Sequence, residues 1–160
     1  MTNNALLVVD VQKGFINKIT KDLPRRIEKL QHSYETVLAL QFINLEGSMF
    51  RRELNWKKLS LNTDEIEFAF KIRPDAVIFS KYSYGATHEF IEYLKENNIS
   101  SIDLCGMDTD GCVTKVSMDL FDNGILPKVL GNYCASSVSQ LVHEQALISL
   151  KNIIGPNNVL

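Results

Sequence analysis

Cysteine and histidine are scarce in this chain, with three of each among 160 residues, beside a single tryptophan and four prolines. The cysteines stand at 105, 112 and 134, a spacing that matches neither a zinc pattern nor a CxxC redox pair, so three free thiols are expected. A long hydrophobic run is also missing. The opening residues MTNNALLVVD place no cationic region ahead of their short apolar stretch, which excludes a signal segment or a membrane span and leads to the expectation of a cytoplasmic protein with no membrane partner. Charge of one sign is lacking too: 17 Lys and Arg face 19 Asp and Glu, for a net charge of −2. The basic residues are scattered apart from Arg25-Arg26 and Arg51-Arg52, so no stripe for nucleic acid forms, and a small neutral or acidic ligand is the expected partner. Neither GxGxxG nor a Walker-type loop is present, which argues against nucleotide phosphates.

What remains is a chain with 45% hydrophobic residues, enough for one sizeable core, read as a single domain over 1–160 without repeat, linker or low-complexity tract. Ala5 to Val9 is an all-apolar run ending in Asp10, as expected of a strand buried on both faces. A helix follows, capped by Thr20 or Asp22, with Pro24 in its first turn and Ile27, Leu30 and Tyr34 as its buried stripe. Further strands are expected at Thr36–Phe42, Ala76–Phe79 with Lys81 just past its end, Ile102–Cys105, and Leu126–Leu130. Thr87 is the expected cap of one intervening helix, and Ser136 or Ser137 that of the last, which runs to about Asn152. The polar segment from Asn44 to Lys71 shows no clear period. Strands alternating with helices indicate an α/β fold of three layers, α-β-α, around an open, mostly parallel sheet of five to six strands.

The stretch Ile102–Gly124 is the centre of this arrangement: a strand, a glycine-containing turn, then a helix with Val113, Val116, Leu120 and Phe121 on one face. Cys112 lies at the junction, where unpaired N–H groups and the positive helix end favour a thiolate. Ligand sites in such sheets lie outside the carboxyl ends of the strands, and Asp10, Lys81 and Cys112 each follow a strand. Taken singly they also read as a loop cap, a solvated cation and a core thiol. Together they make a nucleophile with its activators: Lys81 lowers the thiol pKa, Asp10 takes and returns a proton, and the backbone N–H groups between Met107 and Cys112 face an oxyanion. Phe15, Asn44, Trp56, Tyr82 and Tyr84 are the candidate substrate-binding residues, with Arg51 or Arg52 to orient the substrate. Cys105, Cys134 and His143 are assigned to packing.

The segments LLVVDVQKGF, VIFSK and LCGMDTDGCVTKV, with NYCASS and His143 after them, resemble the isochorismatase-like cysteine hydrolases, a family that includes nicotinamidases and N-carbamoylsarcosine amidase. The resemblance spans nearly the whole chain and implies a Rossmann-like fold. It also implies Asp10, Lys81 and Cys112 as catalytic triad, a cis peptide between Met107 and Asp108, an oxyanion hole of the Asp108 and Cys112 amides, and a homodimer or larger assembly. Nicotinamidases of the family carry Asp-x-His and a further His after the second strand to bind a metal. Phe42 to Ser60 contains neither residue, and the chain's histidines are only at 32, 88 and 143, so no metal or other cofactor is expected and a nicotinamidase is disfavoured. Asp108 stands where a small or hydroxylated residue is expected and brings a second carboxylate that opposes thiolate formation. The loop Lys81–Gly85 is shorter than usual. The function that follows is hydrolysis of an amide or ureido C–N bond of a small metabolite. The alternatives are a catalytically silent member binding a metabolite or partner protein, and a thiol redox protein.

Overall fold

Strand β1 (Ala5–Val9) is apolar at every position because it is central, and its alternating side chains feed two separate cores. Ala5, Leu7 and Val9 point into one apolar cluster, Leu6 and Val8 into the other. In the computed structural model, which describes residues 4–160, β1 pairs with β2 (Thr36–Phe42) and β4 (Ser101–Met107), β2 with β3 (Val77–Lys81), and β4 with β5 (Leu126–Ala135). All four pairings are parallel, and the order β3-β2-β1-β4-β5 makes a five-stranded sheet.

Helix α1 (Leu23–Leu30) covers one face through Leu23 and Ile27. Helices α3 (His88–Glu96), α4 (Thr114–Asp122) and α5 (Gln140–Ile154) cover the other, through Phe90 and Leu94, Val116 and Leu120, and Leu150 and Ile154. Each such aliphatic side chain, fully buried, contributes about 1.5–3 kcal/mol. Connections between parallel strands need a crossover, which α1, α3 and α4 provide, while α5 packs back after the last strand.

Several local expectations shift. Lys81 is the last residue of β3 and not the first beyond it, and β5 continues five residues past Leu130, to Ala135. Helix α1 stops at Leu30, so Tyr34 belongs to the following extended segment; Asp22 takes the N-cap position without a side-chain hydrogen bond, and the Thr20 hydroxyl donates to the Phe15 carbonyl. Thr87 accepts from the Phe90 N–H as a helix cap should, whereas the cap of α5 is Ser139 and not Ser136 or Ser137. Phe121 is exposed, which narrows the buried stripe of α4 to Val116 and Leu120. The segment 44–71 holds one short α-helix, α2 (Met49–Arg52), and a 3-10 turn at Asp64–Ile66; one isolated bridge joins its own Asn44 and Ser60, and another joins its Phe68 to Gln12 just past β1. No helix among the described residues is long and apolar enough to cross a membrane.

Gly106 sits where β4 passes the end of β1, with φ +127° and a register shift between Leu104 and Gly106 against β5. A Cβ there would lie 2.1 Å from the Val9 carbonyl oxygen, inside backbone that cannot yield. Gly106→Ala is therefore expected to destabilise the fold by more than about 3 kcal/mol, measured as a lowered urea midpoint at constant slope.

Candidate active site

The sheet order reverses between β1 and β4, and a crevice opens at their carboxyl ends. Asp10 is the first residue after β1. Its φ of +52° turns the chain sharply, with its N–H still donating to Leu40 and its carbonyl accepting from the Gln12 N–H. Gln12 is wholly buried and locks the end of β2: its Nε2 donates to the Phe42 carbonyl at 2.8 Å and its Oε1 accepts from the Phe42 N–H at 2.8 Å. That is a structural duty for the glutamine of the DVQ segment, one that the sequence reading left unassigned.

Lys81 enters from β3, two strands away, passing the Phe42 ring with Nζ 5.1 Å from its centroid. The ammonium is buried and forms an ion pair with Asp10 Oδ2 at 2.7 Å. It also donates to Cys112 Sγ at 3.4 Å and to the carbonyls of Ser83 at 2.8 Å and Tyr84 at 3.4 Å. The short loop after Lys81 thus wraps its carbonyls onto the cation. That loop is held in turn by α4, whose Asp119 accepts from the Ala86 N–H.

The structure therefore brings Asp10, Lys81 and Cys112 together around one ammonium. Burial works against the Lys81 charge, but Asp10 and Cys112 overcome it and hold its pKa above the ordinary lysine value. Burial raises the Asp10 carboxyl pKa, with Lys81 opposing, as suits a proton acceptor. Cys112 departs from the expectation of a depressed pKa. It is buried, and burial first and the Asp10 charge second push its thiol well above the ordinary value, with Lys81 pulling the other way. The reason is also geometric: residues Thr109–Val113 form a wider π-helical turn before α4 begins at Thr114, so Cys112 lies inside a turn and not on an open α-helix end. Burial and the Asp10 charge favour the protonated thiol, and Lys81 opposes them.

The peptide bond Met107–Asp108 is cis. The Asp108 carbonyl accepts from the N–H groups of Gly111 and Val113, which folds the turn that carries Cys112. His143 Nδ1 lies 2.7 Å from the hydroxyl of Thr109, and burial lowers the pKa of the ring, so this histidine steadies the turn as a neutral hydrogen-bonding partner. The Asp108 carboxylate is engaged by Ser137, accepting from its N–H and hydroxyl at 2.7 Å each. The groups acting on the Cys112 proton are burial, Asp10 and Lys81, so Asp108 does not oppose thiolate formation as expected from the sequence.

Above Cys112 is a cavity of about 160 Å³ with an aromatic wall. Phe15, Phe42, Phe50, Trp56 and Tyr84 make that wall, each ring within 6.4 Å of another. Of the residues singled out for substrate binding, Phe15, Trp56 and Tyr84 line it; Asn44 and Tyr82 do not. Asn44 is buried beneath the loop, donating to the Trp56 and Lys58 carbonyls and accepting from Ser48, while Tyr82 is turned to the surface. Arg51 is likewise internal to the loop, donating to Ser60 Oγ and the Asn44 carbonyl. Phe42 and Phe50 are wall residues that the sequence reading missed. A strand phenylalanine shows no sequence sign that its ring faces a cavity.

A scan against family models matches the isochorismatase domain over residues 4–156. No curated protein matches the sequence. Among solved structures, the pyrazinamidase of Pyrococcus horikoshii in complex with zinc superposes with a TM-score of 0.85 at 21% identity, over 98% of this chain and 97% of that one. An isochorismatase-like hydrolase from Alkaliphilus metalliredigens gives 0.85 at 20% identity over 97% and 92% of the two chains. The pyrazinamidase/nicotinamidase of Streptococcus mutans gives 0.85 at 19% identity over 98% and 99%. At these identities the likeness is one of fold. A zinc ion needs three or four nitrogen, sulfur or oxygen donors converging at about 2.0–2.3 Å. Among the described residues no three His, Cys, Asp or Glu side chains form such a group, and the Asn44 amide just past β2 is engaged by its own loop. The residues present do not fit a zinc ion. The family match over nearly the whole chain, on a parallel sheet whose crevice gathers Asp10, Lys81 and Cys112, places this protein in the isochorismatase domain family of hydrolases.

Proposed function

We propose that the chain hydrolyses a C–N bond of a small, planar amide or ureide through Cys112, with Asp10 as the proton carrier and Lys81 as the fixed counter-charge. The observation that carries this reading is the Asp10–Lys81–Cys112 cluster, with contacts of 2.7 and 3.4 Å, whose Cys112 lines an aromatic cavity with the other two buried behind it. A cavity of about 150 Å³ suffices for one benzene-sized ring, so the volume here suits a ring or a compact planar group with its carbonyl over the sulfur.

In the first step the Cys112 thiol gives its proton to Asp10 as sulfur attacks the carbonyl carbon, and the negative charge moves from carboxylate to sulfur and on to the carbonyl oxygen. Lys81 stays positive throughout, so the buried net charge is unchanged and no new charge is created in the crevice. The amides of Asp108 and Cys112 are the proposed donors to the oxyanion. Collapse breaks the C–N bond, and Asp10 returns the proton to the departing nitrogen, which leaves as ammonia or an amine. Asp10, again a carboxylate, then takes a proton from the water that attacks the thioester. Release of the carboxylic acid restores the thiol. A coupled assay for ammonia across small aryl and ureido amides tests the reading, with turnover expected and its absence across the panel overturning it. Trp56→Ala is expected to raise KM roughly tenfold with a smaller change in kcat, because it removes wall area and leaves the triad alone.

The protein is further proposed to work in the cytoplasm as a homo-oligomer. The exposed apolar side chains Met49, Leu54 and Leu61, in the same segment that supplies the cavity wall, support association.

A further inference from the structure

Asp108 is used by the turn chemistry only through its backbone, yet the residue lines the active-site cavity and two adjoining hollows. It is half-buried, and it is the one charged side chain lining the cavity over Cys112, whose other walls are almost wholly apolar. Ser137 holds it rigidly with two 2.7 Å hydrogen bonds, one to each oxygen. Each oxygen keeps a second lone pair for another donor. No Lys, Arg or His among the described residues forms an ion pair with it. Lys58, which lines one of the adjoining hollows, directs its ammonium at the Gly14 carbonyl. The carboxylates nearest in effect, Asp110 and Asp10, add negative field.

An unpaired carboxylate is poorly suited to an apolar wall unless something positive comes to it. Aromatic faces attract cations through their quadrupole, most strongly where water is excluded, and five rings stand around the same cavity. The sequence-level balance suggested a neutral or acidic ligand, but the one charged residue that lines this cavity is an acid.

From the cavity charge and the ring faces we infer that Asp108 is a specificity residue, and that the substrate is a small amide bearing a cationic nitrogen, its positive end between the aromatic wall and the Asp108 carboxylate. The inference rests on the amide-hydrolase reading for the identity of the site, and binding and turnover are separated in the test. Two probes of nearly equal shape are used: pyridine carboxamide, which is neutral at the working pH, and its N-methylated pyridinium cation. Calorimetric titration into the full-length Cys112→Ala protein, which cannot turn either over, is expected to give at least roughly tenfold tighter binding of the cation. Asp108→Asn keeps the shape and can still bond Ser137 but lacks the charge; in the Cys112→Ala background it is expected to erase that preference while leaving the neutral probe unchanged. Equal or tighter binding of the neutral probe overturns the inference, as does a preference that survives Asp108→Asn, or no detectable binding of either probe at millimolar concentration. Ammonia release by the unmodified protein is measured alongside. Cys112-dependent release from neutral amides with no cation preference sinks the role of Asp108 but leaves the hydrolase; selective cation binding without release from any amide does the reverse.

Discussion

Cys112→Ala is expected to lower kcat for ammonia release by about 10⁴-fold or more while leaving the protein folded. The magnitude follows from the unit character of a nucleophile and its base, in which loss of the attacking atom removes most of what the group achieves. The protein should survive the change because Cys112 is a small side chain and its removal leaves a void no larger than a sulfur atom, a cost of about 1–2 kcal/mol. Rate and stability are therefore separable, by steady-state kinetics on one side and urea denaturation on the other. A mass spectrum of the unmodified protein quenched during turnover should carry the acyl group on the peptide containing Cys112, and not on those containing Cys105 or Cys134. Burial pushes both of those thiols up, Cys134 to about 12, as it does Cys112, but neither lines the cavity and neither takes the Lys81 hydrogen bond that Cys112 does. Retained turnover in Cys112→Ala would remove sulfur from the mechanism altogether.

Lys81→Met is the second large effect, and it falls on stability as well as on rate. Methionine fills much of the same volume, but Asp10 is left as a buried carboxylate with no cation. Breaking a buried pair from one side costs about 3–5 kcal/mol, whereas removing both charges is far milder. The double variant Asp10→Asn with Lys81→Met should therefore recover most of the stability lost by Lys81→Met, with no recovery of activity, in a double-mutant cycle. The pH dependence has a definite sign. Burial raises the Asp10 carboxyl pKa and Lys81 opposes the rise, so removing Lys81 lifts it further. A carboxyl with a folded pKa above its unfolded value of about 3.9 binds its proton more tightly in the folded state. Its favourable contribution is present below the unfolded value and is lost as pH rises through the folded one. The Lys81→Met deficit should thus be greatest at neutral pH and shrink as the buffer is acidified. A deficit independent of pH would mean that Asp10 does not feel Lys81.

Much of the molecule was legible in the chain because short-range patterns report it. The unbroken apolar run Ala5–Val9 marks a strand with cores on both sides, Thr87 caps its helix in the way its side chain favours, and Gly124, with φ +76°, ends α4. The positions of Asp10, Lys81 and Cys112 at strand ends likewise follow from counting strands, and a parallel α/β sheet carries such ends to one rim. Other features depend on how distant segments meet. Phe121 belongs by period to the buried face of α4 but stays in solvent, because helix period reports direction and not the extent of the neighbouring surface. Tyr82 and Tyr84 are two residues apart and chemically alike, yet only Tyr84 reaches the cavity.

The residue types and their spacing by themselves determined the fold class, the strand-end placement of the three chemical groups, and the departure at Asp108. Tertiary structure alone decided the charge state and the pocket. Whether Cys112 rests as thiol or thiolate depends on the sum of burial, Asp10 and Lys81, which are separated in sequence by tens of residues and meet only across the sheet. The same holds for Asp108, whose carboxylate is held by the N–H and hydroxyl of Ser137, 29 residues on. Electrostatic effects fall off with distance in space, and chain order does not encode that distance.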